Sequence, residues 1–185
     1  MAVGRGAFGI PEWMPNAAAD FQSKERGLSM ENTNEMFLEF DSRSLNEGFV
    51  RVAVAAFATQ LNPTLEEVAD LKTAVSEAVT NAIIHAYGGQ AEKIRVNCRV
   101  REREREREME VEVVDHGVGI RDVPKAMEPM YTTKPELDRS GMGFAFMEAF
   151  MDELQVRSEP GVGTTVWMKK KFGCQSGQSD LSGEA

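Results

Sequence analysis

The chain switches between stretches with an apolar residue at every second position and stretches with apolar residues three or four positions apart. Met36, Leu38 and Phe40 alternate with polar residues and predict a strand, because successive strand side chains point to opposite faces. Four later segments alternate in the same way and are also predicted as strands: 93–100, 109–115, 155–158 and 164–172. The last two flank Pro160–Gly163 and predict a closing hairpin.

A first helix is predicted directly after the first strand. Ser44 is followed three residues later by Glu47, the spacing of a capping box, and the helical pattern continues to about Gln60. The apolar positions of this helix include Leu45, Phe49, Val52 and Ala56.

A second and a third helix are predicted further along the chain. Thr64 and Glu67 form another capping-box pair, and the helix that they open runs to about Tyr87, before a Gly-Gly pair. A shorter helix is expected from near Gly141 to near Leu154.

The two ends of the chain differ in composition from its middle. Residues 1–30 mix Gly, Ala, Pro and Ser without a sustained period, so we expect either a disordered extension or a misassigned start, with Met30 as the alternative first residue. Residues 173–185 are rich in Gly, Ser and Gln and are expected to be disordered. The folded domain is therefore predicted to span residues 31–172.

Charge excludes some classes of function. The net charge of −9 argues against direct nucleic-acid binding. Residues 101–108 repeat Arg-Glu four times, and we expect a solvated hairpin extension with arginines on one face and glutamates on the other. No apolar run reaches the length of a membrane span or a signal peptide, so we expect no membrane association and a cytoplasmic location.

The segment SEAVTNAIIHAY carries the first candidate chemistry. Glu77 and Asn81 are four residues apart and therefore project from one face of the second helix. A carboxylate in that position can accept a proton from an attacking hydroxyl, and an amide oxygen is a suitable ligand for Mg²⁺. Without other motifs, the same pair would be read as a polar stripe on a surface helix.

Two glycine motifs follow. In DHGVGI, Asp115 at a strand end can accept a hydrogen bond from an exocyclic amine such as that of adenine, and Gly117 and Gly119 would let a ligand approach the backbone. In SGMGF, Gly141 and Gly143 precede a helix whose first N–H groups can bind phosphate oxygens.

The range 121–139 between these motifs is rich in proline and charge, which predicts a mobile lid. Lys134 and Arg139 are either its phosphate contacts or solvated charges. Thr164, in GVGTTV at the start of the last strand, is either a second contact to adenine, direct or through water, or an exposed strand residue.

The order of these motifs resembles the GHKL superfamily of ATP-binding domains, which includes gyrase and the sensor histidine kinases. SEAVTNAIIHAY matches its N box, DHGVGI its G1 box and SGMGF its G2 box. GFVRVAVAAFATQL and YTTKPELDRSGMGF narrow the resemblance to the anti-sigma-F family of endospore-forming bacteria, over about residues 32–171. The extension 1–30 and the Arg-Glu repeat depart from that family.

The resemblance implies an α/β two-layer sandwich, with a mixed sheet covered by helices on one face. It also implies ATP and Mg²⁺ as cofactors, an anti-sigma factor that sequesters a sporulation sigma factor, a serine kinase acting on the anti-anti-sigma protein, and a homodimer. By its match to the family's F-A-R-V segment, Arg51 is implied to contact the sigma factor.

Three other functions remain open at the level of sequence. One is the related anti-sigma kinase of the general stress response. Another is the catalytic domain of a sensor histidine kinase, although both histidines, His85 and His116, fall inside nucleotide motifs. The third is a binding protein that holds a nucleotide only as a structural ligand, against which the pair Glu77 and Asn81 argues.

Overall fold

The computed structural model describes residues 32–104, 106–131 and 141–173. The predicted extension 1–30 and nearly all of the predicted tail, 174–185, lie outside the described residues. The elements in chain order are β1 (Asn32–Asp41), α1 (Ser44–Ala58), a 3₁₀ turn (Thr59–Leu61), α2 (Leu65–His85), β2 (Lys93–Arg103), β3 (Glu106–Asp115), α3 (Val123–Ala126), α4 (Gly143–Phe150), β4 (Glu153–Glu159) and β5 (Gly163–Phe172).

The five strands form one sheet in the order β1-β2-β3-β5-β4. Each neighbouring pair is antiparallel, so the expectation of a mixed sheet is wrong for the described strands. The reason is the position of β5. β4 runs parallel to β3, but β5 is inserted between them and pairs with both. The α/β sandwich class itself is confirmed.

The hydrophobic core lies between the helices and one face of this sheet. α2 is buried along Leu71, Val75 and Val79, and it packs on the inward side chains of the strands, which include Val96 and Val111. The capping box predicted at the start of α2 is confirmed: the Glu67 N–H donates to the Thr64 hydroxyl and the Thr64 N–H donates to the Glu67 carboxylate. No helix in the described ranges is long and apolar enough to cross a membrane.

Helix α1 has two apolar faces. The face formed by the apolar positions named from the sequence is exposed to solvent. Its buried residues are Val50, Val54, Ala55 and Ala58. On the opposite side of the helix, an exposed stripe is formed by Leu45, Phe49, Val52 and Ala56. A periodic pattern cannot show which of two apolar faces meets the rest of the protein, and here α1 packs against α2 through the less bulky one.

The prediction of a capping box at the start of α1 is also wrong. Arg43 is the N-cap residue and its side chain makes no capping hydrogen bond. The Glu47 carboxylate instead accepts a 2.6 Å hydrogen bond from the Ser76 hydroxyl on α2. A tertiary contact therefore replaces the local one.

The Arg-Glu repeat forms the distal end of the β2–β3 hairpin. Its turn includes Glu104 with φ 50°, and the register then places Arg101 directly opposite Glu108, with 3.3 Å between Nη1 and Oε1. Arg101 on β2 lies on the face of the sheet opposite the helices. Arg107 on β3 instead points to the helix side and donates to the Leu61 carbonyl at 2.7 Å. The expectation of one arginine face is therefore wrong, because the turn reverses the alternation between the two strands.

The end of α4 also differs from the prediction. The helix ends at Phe150 rather than near Leu154, because Met151 is extended with φ −112° and ψ 149°. Lys170 on β5 donates from Nζ to the Phe150 carbonyl at 2.7 Å and to Asp70 on α2 at 3.1 Å. This buried lysine fixes α4 against α2, and α4 begins at the site described next.

Candidate functional site

A cavity of about 380 Å³ opens between α2, the loop after β3, the start of α4 and the beginning of β5. It is lined by one face of α2 and by residues of the three glycine motifs. The lining residues that sequence analysis had singled out are Asn81, Asp115, Gly119, Gly141, Gly143 and Thr164. The fold thus brings together residues that are far apart in the chain.

Asp115 is the most buried charged group in this cavity, with a relative exposure of 7%. Its Oδ1 accepts a 3.0 Å hydrogen bond from the Gly117 N–H, and the Thr164 N–H also donates to the carboxylate. Burial raises the pKa of Asp115 above its ordinary value, and these two bonds partly oppose that shift. The result is a carboxylate held in place in the lining of the cavity, with lone pairs left for a further donor.

The two glycines of DHGVGI are required by close packing of the protein on itself. A Cβ on Gly117 would lie 2.1 Å from the Ala86 carbonyl oxygen at the end of α2. Gly119 has φ 69°, and its Cβ would lie 2.2 Å from the Glu159 carbonyl oxygen. The loop after Asp115 is therefore pressed between α2 and the β4–β5 turn. Gly119 also lines the cavity, whereas Gly117 lies behind it.

Glu77 and Asn81 meet the start of α4. A Cβ on Gly143 would lie 3.1 Å from both the Glu77 Oε2 and the Asn81 Nδ2 atoms. Glycine at this position therefore lets the N-terminus of α4 approach the acid and the amide. Asn81 lines the cavity, and Glu77 lies one helical turn further along the same face.

Met130, inside the predicted lid, and Gly141, just after it, meet beside the cavity. Gly141 lines it with φ 57°, and a Cβ there would lie 2.6 Å from the carbonyl carbon of Met130. Lys134 and Arg139, the predicted phosphate contacts, lie outside the described residues.

Two polar residues that sequence analysis missed support this site. Ser158 of β4 accepts a 2.8 Å hydrogen bond from the Ile120 N–H and lies 2.9 Å from the Thr164 hydroxyl. The Tyr87 hydroxyl accepts from the His116 N–H at 2.9 Å. A serine in a strand and a tyrosine after a helix have no characteristic local pattern, so only their tertiary contacts identify them.

The site residues fit a nucleotide with a divalent cation. Asp115 supplies an acceptor for an amine. The first N–H groups of a helix such as α4 have no intrahelical acceptor, which makes its N-terminus a favourable place for phosphate. No group of three or more His, Cys, Asp and Glu side chains capable of holding a metal occurs in the described residues. A single amide ligand such as Asn81 suits Mg²⁺, because that ion takes most of its remaining ligands from phosphate and water.

Arg51 lies outside this cavity, on α1. Its side chain is 41% exposed, and its Nε is 3.6 Å from the Glu47 Oε1. The buried Nε atom has no hydrogen-bond partner among the described residues. Successive helical residues point about 100° apart. Arg51 pairs with Glu47 on the side of α1 that contacts α2, so its side chain does not lie in the exposed stripe.

Comparisons with known proteins agree with this geometry. The histidine kinase-like ATPase domain family matches residues 39–170. The anti-sigma F factor of Clostridium botulinum (strain Alaska E43 / Type E3) is 54% identical over 75% of this chain and 95% of its own length. Those of Pasteuria penetrans and Halalkalibacterium halodurans are 56% and 53% identical, over 75% and 74% of this chain and 91% and 92% of their own lengths.

The domain match covers all of the helices and strands except most of β1 and the last two residues of β5, and the relatives are matched over nearly their full length. The cavity with Asn81, Asp115 and the glycine turns lies entirely within the matched range. This protein therefore belongs to the histidine kinase-like ATPase family and, within it, to the anti-sigma F factors.

Proposed function

We propose that this protein binds and inhibits a sporulation sigma factor and uses ATP to phosphorylate a serine of the anti-anti-sigma protein that would release it. The observation that carries the kinase part is the convergence of Glu77, Asn81 and Gly143, of which Asn81 and Gly143 line the cavity. The names of the relatives carry the anti-sigma part.

Glu77 is the proposed general base. Phosphoryl transfer depends mainly on positioning and on stabilising charge, so the protein must align a hydroxyl rather than form new bonds itself. The Glu77 carboxylate is beside the start of α4, where the terminal phosphate is expected. From there it can accept the proton of a serine hydroxyl.

Asn81 is the proposed ligand of Mg²⁺, which would neutralise phosphate charge when bound with ATP. Asp115 is proposed to accept a hydrogen bond from the adenine amine, with Thr164 beside it. Gly117, Gly119, Gly141 and Gly143 shape the backbone around the nucleotide, and Lys134 and Arg139 are proposed phosphate contacts of the lid.

The direct test is transfer of labelled phosphate from ATP to a purified anti-anti-sigma protein. We expect label on one serine of that protein, identified by mass spectrometry, and dependence on Mg²⁺. Label on a histidine of this chain would support the histidine-kinase alternative instead. Nucleotide binding without any transfer would support a purely structural nucleotide.

The exposed stripe of α1 supports the proposals of a sigma-binding surface and of a homodimer. Leu45, Phe49 and Val52 are 90%, 60% and 57% exposed, and large apolar side chains grouped in this way mark interaction sites. Arg51, on another side of the same helix, is the proposed contact to a carboxylate of the sigma factor, because a guanidinium can bind a carboxylate through two hydrogen bonds.

The homodimer is tested by replacing Phe49 with glutamate. Light scattering should report a dimer for the wild-type protein and a monomer for Phe49→Glu, since a buried unpaired charge opposes association. Val162→Glu is the control, because Val162 is similarly exposed at 56% but lies in the β4–β5 turn. A monomeric wild-type protein would refute the dimer.

A further inference from the structure

Ser158 joins three segments around the cavity. Its hydroxyl accepts a 2.8 Å hydrogen bond from the Ile120 N–H in the loop after β3. It also donates to the Gly163 carbonyl at 2.9 Å and lies 2.9 Å from the Thr164 hydroxyl. Ser158 lies directly opposite Thr164 in the β4–β5 register.

The number of protons on each hydroxyl shows which of Ser158 and Thr164 is the donor in the contact between them. A serine hydroxyl has one proton and two lone pairs. The Gly163 carbonyl can only accept, so it takes the Ser158 proton. The Thr164 hydroxyl must then donate its own proton to Ser158, and its two lone pairs remain for other partners.

Thr164 lines the cavity next to Asp115, which it also contacts through its N–H. An ionised carboxylate is an acceptor only, and Thr164 has no proton left to donate. The Asp115 and Thr164 side chains therefore offer only acceptors to the cavity. A 6-amino group has two protons and can donate to both oxygens, whereas a 6-carbonyl oxygen in the same place would face them unpaired.

We propose that Ser158 is a positioning residue that holds Thr164 as a hydrogen-bond acceptor and thereby favours a 6-amino purine over a 6-oxo purine. The inference rests on the proposed nucleotide role of Asp115 and deepens it. Ser158 itself is outside the lining of the cavity, so it acts through Thr164 and not by touching the base.

The test compares ADP with inosine diphosphate, in which a carbonyl replaces the 6-amino group and N1 carries a proton. Both are titrated calorimetrically into wild type, Ser158→Ala and Ser158→Thr. We expect wild type to prefer ADP. Ser158→Ala should reduce the ratio of ADP affinity to inosine diphosphate affinity about tenfold, because a tenfold change corresponds to the net free energy of one hydrogen bond. Ser158→Thr retains a hydroxyl and should restore the preference.

A double-mutant cycle separates this role from simple support of the fold. Thr164→Val removes the hydroxyl, so adding Ser158→Ala to it should leave the affinity ratio unchanged. If Ser158→Ala does not fold, Ser158→Cys keeps a weak donor and acceptor and should show a smaller loss of the ratio.

Two outcomes overturn the inference. If Ser158→Ala weakens both nucleotides equally, Ser158 is only structural. If wild type binds ADP and inosine diphosphate equally, the proposed role of Asp115 fails as well. Serine phosphorylation is not measured in this experiment, so a failure of the proposed kinase activity remains distinguishable.

Discussion

The backbone N–H of Met130 donates a 2.9 Å hydrogen bond to the carbonyl oxygen of Gly141. This bond joins two described residues that precede and follow the range 132–140, in which the proposed phosphate contacts Lys134 and Arg139 occur in the sequence. Both residues have positive φ, 67° at Met130 and 57° at Gly141. Gly141 lines the cavity, so the backbone geometry at this junction shapes that part of the cavity wall.

Gly141→Ala should weaken ATP binding about tenfold or more. Its Cβ would lie 2.6 Å from the Met130 carbonyl carbon, so the junction must move. Gly161→Ala is the matched control, because Gly161 also has positive φ, 80°, but a Cβ there would have nothing within 4 Å. Both variants should lose about 1 kcal/mol of stability from the left-handed backbone. Equal ATP affinity of the two variants in calorimetry would contradict this role of the junction.

Glu77→Gln should lower the rate of serine phosphorylation by roughly 10²–10⁴-fold, the usual contribution of a general base. The amide keeps the size of the side chain but cannot take the hydroxyl proton. ATP affinity should stay near that of wild type, so kcat falls and KM does not rise. Glu66→Gln, at an exposed position in the first turn of the same helix, is the control and should keep full activity. A Glu77→Gln protein with wild-type kcat would exclude the general-base role.

Asp115→Asn should weaken ATP and ADP binding together, because both nucleotides carry adenine. The amide presents donors where the carboxylate only accepts. Calorimetry with ADP measures the effect without the contribution of the terminal phosphate. Unchanged ADP affinity would mean that Asp115 does not contact the base.

The same variant should change how stability depends on pH. Burial raises the pKa of Asp115 above 3.8, so ionisation is less favourable in the folded than in the unfolded protein. Ionised Asp115 therefore lowers the free energy of unfolding. This loss is absent below the pKa of Asp115 in the unfolded protein, grows as pH rises, and is complete above its pKa in the folded protein. The Tm of Asp115→Asn minus that of wild type should therefore increase from pH 3 to pH 7. A difference that is constant or falls with pH would contradict this sign.

Arg51→Ala should impair sigma-factor binding by about tenfold or more, as expected for loss of a charge-assisted contact at an interface, and should leave ATP affinity unchanged. Arg95→Ala is the control. Arg95 is 32% exposed and also pairs with a glutamate, Glu39, but it lies on the open face of the sheet. If Arg51→Ala still retains the sigma factor fully in a pull-down, Arg51 does not contribute to the interface. A parallel loss of ATP affinity would indicate damage to the fold.

Local patterns were sufficient for much of the architecture. Alternation located the five strands to within a few residues, because strand side chains obey a period of two wherever one face is buried. The Thr64 capping box located the start of α2, since all of its hydrogen bonds are made within one helical turn. The spacing of Glu77 and Asn81 placed both side chains on one helix face for the same reason.

Some sequence patterns are compatible with two different structures, and local reasoning could not choose between them. Helix α1 has apolar residues on opposite faces, and only its packing on α2 shows that Val50 and Val54 are buried while Phe49 is exposed. Glu47 could cap its own helix or accept from Ser76, and the choice depends on where α2 lies. The facing of each arginine in the Arg-Glu repeat depends on the position of the turn.

By itself, the sequence determined the order of the elements, the residues at the turns and the chemistry that each motif can offer, because these depend on neighbours within a few positions. The tertiary structure decided the distances between motifs. It alone brought Gly143 to Glu77 and Asn81, and Ser158 to Ile120. Such contacts join residues far apart in the chain, and they form only when burial of the shared core holds the sheet and helices in one arrangement.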